Sequence, residues 1–343
     1  MATQRVELQG NDISAYVQSI PNVALEAGSY GQVTINPITS LVGLNTRAFW
    51  TASNPASPFF NNPDLKSMDL RIYLNDVLTF QGGILSINTN GAARTASVSL
   101  RSVSQILNES GCIYSSIEPE SPAMAASMIL TRYGVPFDSG SFSAANQFYV
   151  NEGVLVRVQT LSPDQTILSV LQRLTEIGVA RLSLVNNELR WDSFDVTNDD
   201  PPLYTFTDEQ GNPDGITLLT PAPNDEALQK DALESYNVTW LGTPTAAYGN
   251  QERPGKAIDG GPDQAVRITD FDTAVWVGDR WLQLLQRPQR RITVHVPERI
   301  GRTVQLAMAV AVDYSKWNRA IIMDVVRINS STKTTTQIVG LTR

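Results

Sequence analysis

The first hundred residues alternate apolar and polar positions in short runs separated by turn residues, the period-2 signature of half-buried antiparallel strands. Val6 and Leu8 open the pattern, Val33 and Ile35 continue it, and Leu70, Ile72 and Leu74 form one face. Asn75-Asp76 then turns the chain into Val77, Leu78 and Phe80, and Gly82-Gly83 predicts a bulge or a close backbone approach. Residues 84–88 and 96–100 read as a hairpin with Asn90-Gly91, a pair tolerant of positive φ, in its loop.

Helical periodicity begins only beyond residue 120. Ser121-Pro122 supplies an N-cap and a first-turn proline, Met124, Met128 and Ile129 an apolar face, and Gly134 a stop. A stronger helix starts at Ser162-Pro163-Asp164-Gln165, a capping box that puts an acid where the helix dipole favours one. Ile167, Leu168, Leu171, Leu174 and Ile177 form its stripe, and Gly178 stands where a left-handed cap is expected. Strands return over 180–191 around Asn186-Asn187. The stretch 195–225, crowded with Asp, Asn, Pro and Gly, reads as a loop-rich connector whose apolar positions are confined to 204–206 and 216–219. Residues 236–241 predict a strand and 243–270 irregular chain. Ala274, Val275, Gly278, Trp281, Leu282 and Leu285 predict an amphipathic helix ended by Pro288, with strands from there on.

The two ends of the chain echo one another. Ile87 and Leu100 are 13 apart, as are Ile328 and Leu341, and an offset of 241 relates the pairs. The same offset maps Tyr73 to Tyr314, Asn88 to Asn329, Thr95 to Thr336 and Val98 to Val339. Hairpins of similar length share such residues by chance as well, because β-branched residues and Asn are common in them. A true duplication would have a mechanical consequence: three copies carrying two similar units each present six quasi-equivalent units to a six-fold ring.

At 343 residues the chain exceeds what one core comfortably fills, and with 42% hydrophobic and 17% charged residues it has a globular composition. The fold class expected is α+β, mainly β: two antiparallel β domains, over 1–110 and 231–343, flank a mixed α/β middle region over 111–230. No apolar run approaches the roughly 18 uncharged residues of a membrane helix, and the opening residues lack a signal peptide's apolar stretch. A cytoplasmic site of synthesis and assembly is therefore expected. The net charge of -8 argues against a surface built to hold nucleic acid and is compatible with one past which DNA slides.

Candidate chemistry is sparse. His295 is the single histidine and Cys112 the single cysteine, so neither an intrachain disulfide nor a common zinc site can be assembled. Period 2 places His295 on the face of Arg291 and Thr293, opposite Ile292, Val294 and Val296, a solvent or interface position rather than a catalytic one. The acid pairs Glu118 with Glu120 and Asp208 with Glu209 lie in Pro- and Gly-bearing segments, where solvation is the default and a glycosidase cleft is not predicted. Asp208, Gln210, Asn212 and Asp214 alternate oxygen groups around Gly211, but no acid completes an EF-hand loop, and turn formation explains them better. Arg287, Arg290, Arg291, Arg299 and Arg302 form a basic cluster that suits either an acidic partner or a solvated strand face. No metal, cofactor or catalytic residue is expected.

The order of elements resembles the baseplate or tail hub proteins of bacteriophages, including the late control protein D group. Three segments carry the likeness. The run 69–84, with Asp69-Leu70-Arg71-Ile72-Tyr73-Leu74 leading to Phe80-Gln81-Gly82, is similar to the hub's first-domain strand pair. The run 161–191 resembles the middle-domain helix and strand pair, and 272–282 with 291–296 the closing helix and barrel. The connector 195–225 and the stretch 243–270 match nothing in that pattern. The resemblance implies a virion tail protein assembled in the host cytoplasm, with the two terminal β domains, 1–110 and 231–343, as tube-like antiparallel β-barrels. It would be a homotrimer joining the six-fold tail tube, or a distal tail protein, to a three-fold spike or fibre, with DNA passing through without specific binding. Asn88, Thr95, Arg291, His295, Asn329 and Thr336 are the expected inter-subunit positions. Rival readings are a receptor- or carbohydrate-binding tail tip protein and, more distantly, a cell-wall hydrolase.

Overall fold

The computed structural model describes residues 4–17, 23–26, 33–35, 38–40, 49–51, 53–60, 65, 68–74, 76–90, 95–102, 107, 116–159, 165–185, 188–193, 201–210, 215–219, 222–227, 235–240, 243–249, 255–260, 264–285, 290–301, 303–305, 308–330 and 335–342. Among them the fold is α+β and mainly strand, with five α-helices.

Two large sheets dominate. The first is built from β1 (Gln4–Leu8), β2 (Asn11–Asp12), β5 (Ile38–Ser40), β6 (Leu70–Leu74), β7 (Val77–Asn90) and β8 (Thr95–Ser102), in the order β2-β1-β6-β7-β8-β5. All its pairings are antiparallel. One face, comprising Val6, Leu8, Leu70, Ile72, Phe80, Ile84, Val98 and Leu100, is buried, as the alternation predicts. Asp76 takes a left-handed φ of 67° where β6 turns into β7; Asn75 and Gly91 lie outside the described residues. The irregularity expected at Gly82-Gly83 appears on either side of them. Thr79 and Leu85 are each left over by a shift of register, against β6 and β8 respectively.

The second sheet is formed by β13 (Tyr204–Thr207), β14 (Ile216–Thr217), β15 (Asn224–Ala227), β20 (Arg290–Pro297), β21 (Ala309–Asp313), β22 (Ile321–Ser330) and β23 (Thr335–Thr342), in the order β14-β13-β21-β22-β23-β20-β15. β3 (Val23–Glu26) and β4 (Val33–Ile35), from the N-terminal part of the chain, join it through β22. Neither sheet closes into the expected barrel among the described residues. Closure requires the outer strands to pair with each other. In the second sheet those strands, β14 with two residues and β15 with four, lie at opposite ends of the order. Nor is the second sheet purely antiparallel: β13 runs parallel to both β14 and β21.

The remaining elements are α1 (Pro122–Arg132), α2 (Ser139–Glu152), α3 (Ile167–Ile177), α4 (Phe271–Leu285), the short α5 (Glu298–Gly301) and three small strand groups. Those groups are β9 (Ile117–Glu120) with β10 (Val156–Val158) and β19 (Val266–Ile268), the hairpin β11 (Ala180–Val185) with β12 (Glu188–Ser193), and β16 (Ser235–Trp240) with β17 (Thr243–Gly249) and β18 (Gly255–Asp259). The stretch expected to be irregular thus holds β17, β18 and β19, its backbone polar groups satisfied by pairing to β16 and β10. The connector likewise holds β13 and β14. First sheet, α1 to α4 and β16–β18 share one contiguous core, while the second sheet has its own around Phe206, Ile292, Val294, Met323 and Ile338. Packing therefore draws β13–β15 into the second sheet and β16–β18 with α4 toward the first.

Local signals acted mostly as read, with three differences. Ser121 caps α1 by accepting from Met124 N at 3.1 Å, and Gly134 takes a φ of 64°. The buried face, however, is Ala123, Ala125, Ala126, Ile129 and Leu130, and Met128 is exposed. α3 starts one turn later than the capping box predicts: Thr166 is its N-cap, accepting from Ser169 N at 3.1 Å, and residues 161–164 lie outside the described residues. Gly178 is right-handed, with φ -71°, and the positive φ of 47° falls on Val179. The glycine is needed there for space instead. A Cβ on Gly178 would meet Trp191 Cζ2 at 2.8 Å, Tyr149 Oη at 3.0 Å and Leu174 O at 3.1 Å. Tyr149 donates to Gly178 O at 2.6 Å and accepts from Trp191 Nε1 at 3.1 Å, and burial pushes its phenol up to about 12, so it stays protonated. The substitution Gly178→Ala is expected to destabilise the chain by about 1–3 kcal/mol, through overpacking of fixed rings. A lowered denaturant midpoint at unchanged slope checks it.

Candidate assembly surface

The echo between the chain ends has a structural counterpart. β6-β7-β8 and β21-β22-β23 are both antiparallel meanders, and each continues beyond its last strand into an antiparallel partner, β5 or β20. Each central strand carries one shift of register against its C-terminal neighbour, at Leu85 between Ile84 and Ser86 and at Val326 between Val325 and Arg327. These bulges lie 241 positions apart, the offset read from the sequence. The flanking strands follow an offset of 240: Ile84 pairs with Leu100 and Val325 with Gly340, so Leu100 corresponds to Gly340 and Val98 to Ile338. The identities Leu100/Leu341, Thr95/Thr336 and Val98/Val339 are therefore one residue out of step, whereas Ile87/Ile328 and Asn88/Asn329 are in step; Tyr314 lies just past the end of β21. The outermost strands differ, β1 lying antiparallel to β6 and β13 parallel to β21.

The bulge explains the sequence spacing. Ile84 with Ile87, and Val325 with Ile328, are three apart, which in a regular strand would put them on opposite faces. One extra residue returns both to the core side: Ile84 is buried in the first core with Ile87 packed against that core, and Val325 and Ile328 are buried in the second.

On the face of the second sheet away from its core, side chains form a row across three strands. His295 pairs with Gln337 and Gln337 with Asn329 in register; Asn329 Nδ2 donates to Gln337 Oε1 at 2.5 Å, and Gln337 Nε2 lies 3.5 Å from His295 Nε2. Two of the expected positions, His295 and Asn329, thus meet through Gln337, a residue that period-2 reading passes over because glutamine carries no special signal. Arg291 is exposed and ion-paired with Glu226 at 3.1 Å. Thr336 is buried within the chain against Gly301 of α5, its hydroxyl without a hydrogen-bond partner. Asn88 is exposed on β7, and Thr95 pairs with Asn90 across the hairpin of the first sheet.

Charges elsewhere are largely spent on local order. Arg290 forms a two-pronged ion pair with Asp225, its Nε 2.9 Å from Oδ1, so Arg290 and Arg291 are both neutralised by β15. Arg287 and Arg302 lie outside the described residues. Asp208 accepts from Ser315 N at 2.9 Å and Oγ at 2.6 Å, and those bonds hold its carboxyl below the usual range. Glu118 pairs with Arg157 at 3.3 Å. Among the described residues no group of three or more His, Cys, Asp or Glu is placed to hold a metal, and no helix is long and apolar enough to cross a membrane. Cys112 is outside them.

One carboxylate, Asp192, is largely buried where the β11–β12 hairpin approaches β22. Asp192 Oδ1 is 2.9 Å from Arg190 Nε, with Arg181 opposite it in register. Burial raises the Asp192 carboxyl, with Asp324 of β22 adding repulsion, against the pull of Arg190 and Arg181. The Ser183 hydroxyl is near enough to lower it somewhat, although neither that hydroxyl nor Asp192 Oδ2 completes a hydrogen bond. The hairpin's arginines hold this carboxylate on their own strands, and the approach to β22 brings two acids near each other.

No protein-family model matches the chain, and no curated protein does. Solved structures do. The chain is similar in fold to a tail protein from Neisseria meningitidis, with a TM-score of 0.63 and 12% identity over 100% of this chain and 96% of that one. It is similar to the 43 kDa tail protein of prophage MuSo2 from Shewanella oneidensis, with a TM-score of 0.60 and 12% identity over 99% and 98%. A prophage tail protein from Listeria monocytogenes follows, with a TM-score of 0.52 and 8% identity over 98% and 94%. At these identities the likeness is one of fold, and it spans the whole chain.

The Asp192 environment yields a pH test. Its folded pKa lies above the unfolded value near 3.8, so the folded state binds this proton more tightly. The contribution is present in full below that value and is lost as pH rises through the folded pKa. The stability of the wild type minus that of Asp192→Asn should therefore fall as pH rises above about 3.8. Paired denaturant titrations across pH measure it, and a difference that rises with pH would contradict the raised pKa.

Proposed function

We propose that this chain is a non-enzymatic structural subunit of a phage or phage-like tail, acting as a trimeric hub of the baseplate. The observation that carries the reading is the repeated meander with its bulge in the same place, in a chain whose whole length shares the fold of tail proteins. A trimer offers only three equivalent surfaces, and a six-fold ring needs six. Two like sheets per chain supply the missing factor of two. In this reading the hub sits in the virion tail, with a tail tube or distal tail protein on one side and a spike or fibre on the other. DNA passes without being held, which agrees with a net charge of -8 and with Arg290 and Arg291 being neutralised on the chain.

No step of this role calls for a bound cofactor or metal. It is mechanical: the sheets transmit load through paired backbone and buried side chains, and the function lies in interfaces. Native mass measurement of the full-length protein should give a species of three 37.6 kDa chains. A dimer, or a monomer persisting at high concentration, would contradict the trimeric hub. Clearing of bacterial cell wall that disappears on substitution of one carboxylate would instead support the hydrolase reading.

A further inference from the structure

The second sheet shows how this module completes its long central strand. β21 covers residues 321–324 of β22, and beyond the bulge β3 covers the same edge, pairing Glu26 with Arg327, Leu25 with Ile328, Ala24 with Asn329 and Val23 with Ser330. The corresponding stretch of β7 is 86–89. There β8 occupies one edge, β6 stops at Gly82, and no strand lies on the other edge among the described residues. The side chains agree. Leu85 at the first bulge is 42% exposed, an apolar residue beside exposed Asn88, whereas its counterpart Val326 is half-buried. An open strand edge presents unpaired N–H and C=O groups, a template for another strand.

We propose that the 86–89 edge of β7 accepts a strand from the second sheet of another copy of this chain. The contact would be the between-copy counterpart of the β3–β22 pairing within one copy. This deepens the trimer reading above and rests on it. Within a chain, the N-terminal part donates a strand to the second sheet and fills that sheet's acceptor. The acceptor on the first sheet has no strand on it among the described residues, and a head-to-tail contact repeated between copies can close into a ring. The second copy is favoured as occupant because the edge reproduces, residue for residue along β7 and β22, an edge that this chain is already seen to fill with its own strand.

Hydrogen exchange of the full-length protein, followed from dilute to concentrated solution, tests the proposal. The amides of 86–89 that point away from β8 should slow by about ten-fold or more as the oligomer forms. Leu85→Lys places a charge on the edge at an exposed position, and Asn88→Lys does so at a second one; both should stay folded by circular dichroism and weaken assembly by about ten-fold or more. If the oligomer forms while these amides exchange as in the monomer, or if both variants assemble as tightly as the wild type, this edge is not the acceptor and the trimer reading stands without it. A protein that stays monomeric throughout overturns both.

Discussion

A single constraint organises both large sheets: in each central strand two core residues are three positions apart, and only an extra, unpaired residue between them lets both reach the core. Ile84 and Ile87 impose it on β7, Val325 and Ile328 on β22. A one-residue slip in a strand moves every side chain to the other face, so the bulge is fixed by burial rather than by local preference. It also bends the strand. Each long strand therefore pairs with one neighbour before the bulge and is free to take a different one after it, as β22 does with β21 and then β3. The open half of β7 and the filled half of β22 are two states of one design.

The N-terminal part of the chain is tied to the second sheet by backbone pairing, while the two apolar cores are separate clusters. β3 leaves the N-terminal part of the chain to pair with β22, and the β11–β12 hairpin sets Asp192 with its arginines near Asp324. Neither contact needs a large hydrophobic seam. A joint of paired backbone links the two sheets without fusing their cores.

Much of this was legible in the sequence. Period 2 located the first sheet's buried face down to Val6, Ile72 and Ile84, and the caps at Ser121 and Gly134 were correctly placed because they act locally. The echo was visible in Ile87/Ile328 and Asn88/Asn329, but half of the matched identities were out of step. A bulge changes the offset between paired strands, and a linear comparison cannot see register. α2 escaped notice because its buried stripe is only Phe142, Ala145 and Tyr149 amid Ser, Gly and Asn. The Asp138 cap and the left-handed Gly153 were its usable signals. β17 to β19 escaped for a different reason: β17 and β18 are rich in Thr, Ala and Gly, β19 is only three residues long, and such strands owe their form to their pairing partners. Closure into barrels was expected from the resemblance to hub proteins, and element order does not determine whether outer edges meet. Of the expected interface residues, the row from His295 through Gln337 to Asn329 depends on pairing across three strands, and Thr336 turned inward because α5 lies over it.

The central claim is that the two sheets of one chain are equivalent in use as well as in form. Electron microscopy of the isolated oligomer or of the particle, viewed down the assembly axis, tests it most directly. The account predicts three copies whose first and second sheets alternate around one ring at intervals of about 60°. Sheets stacked at different heights along the axis, or a ring lined by only one sheet from each copy, would contradict it.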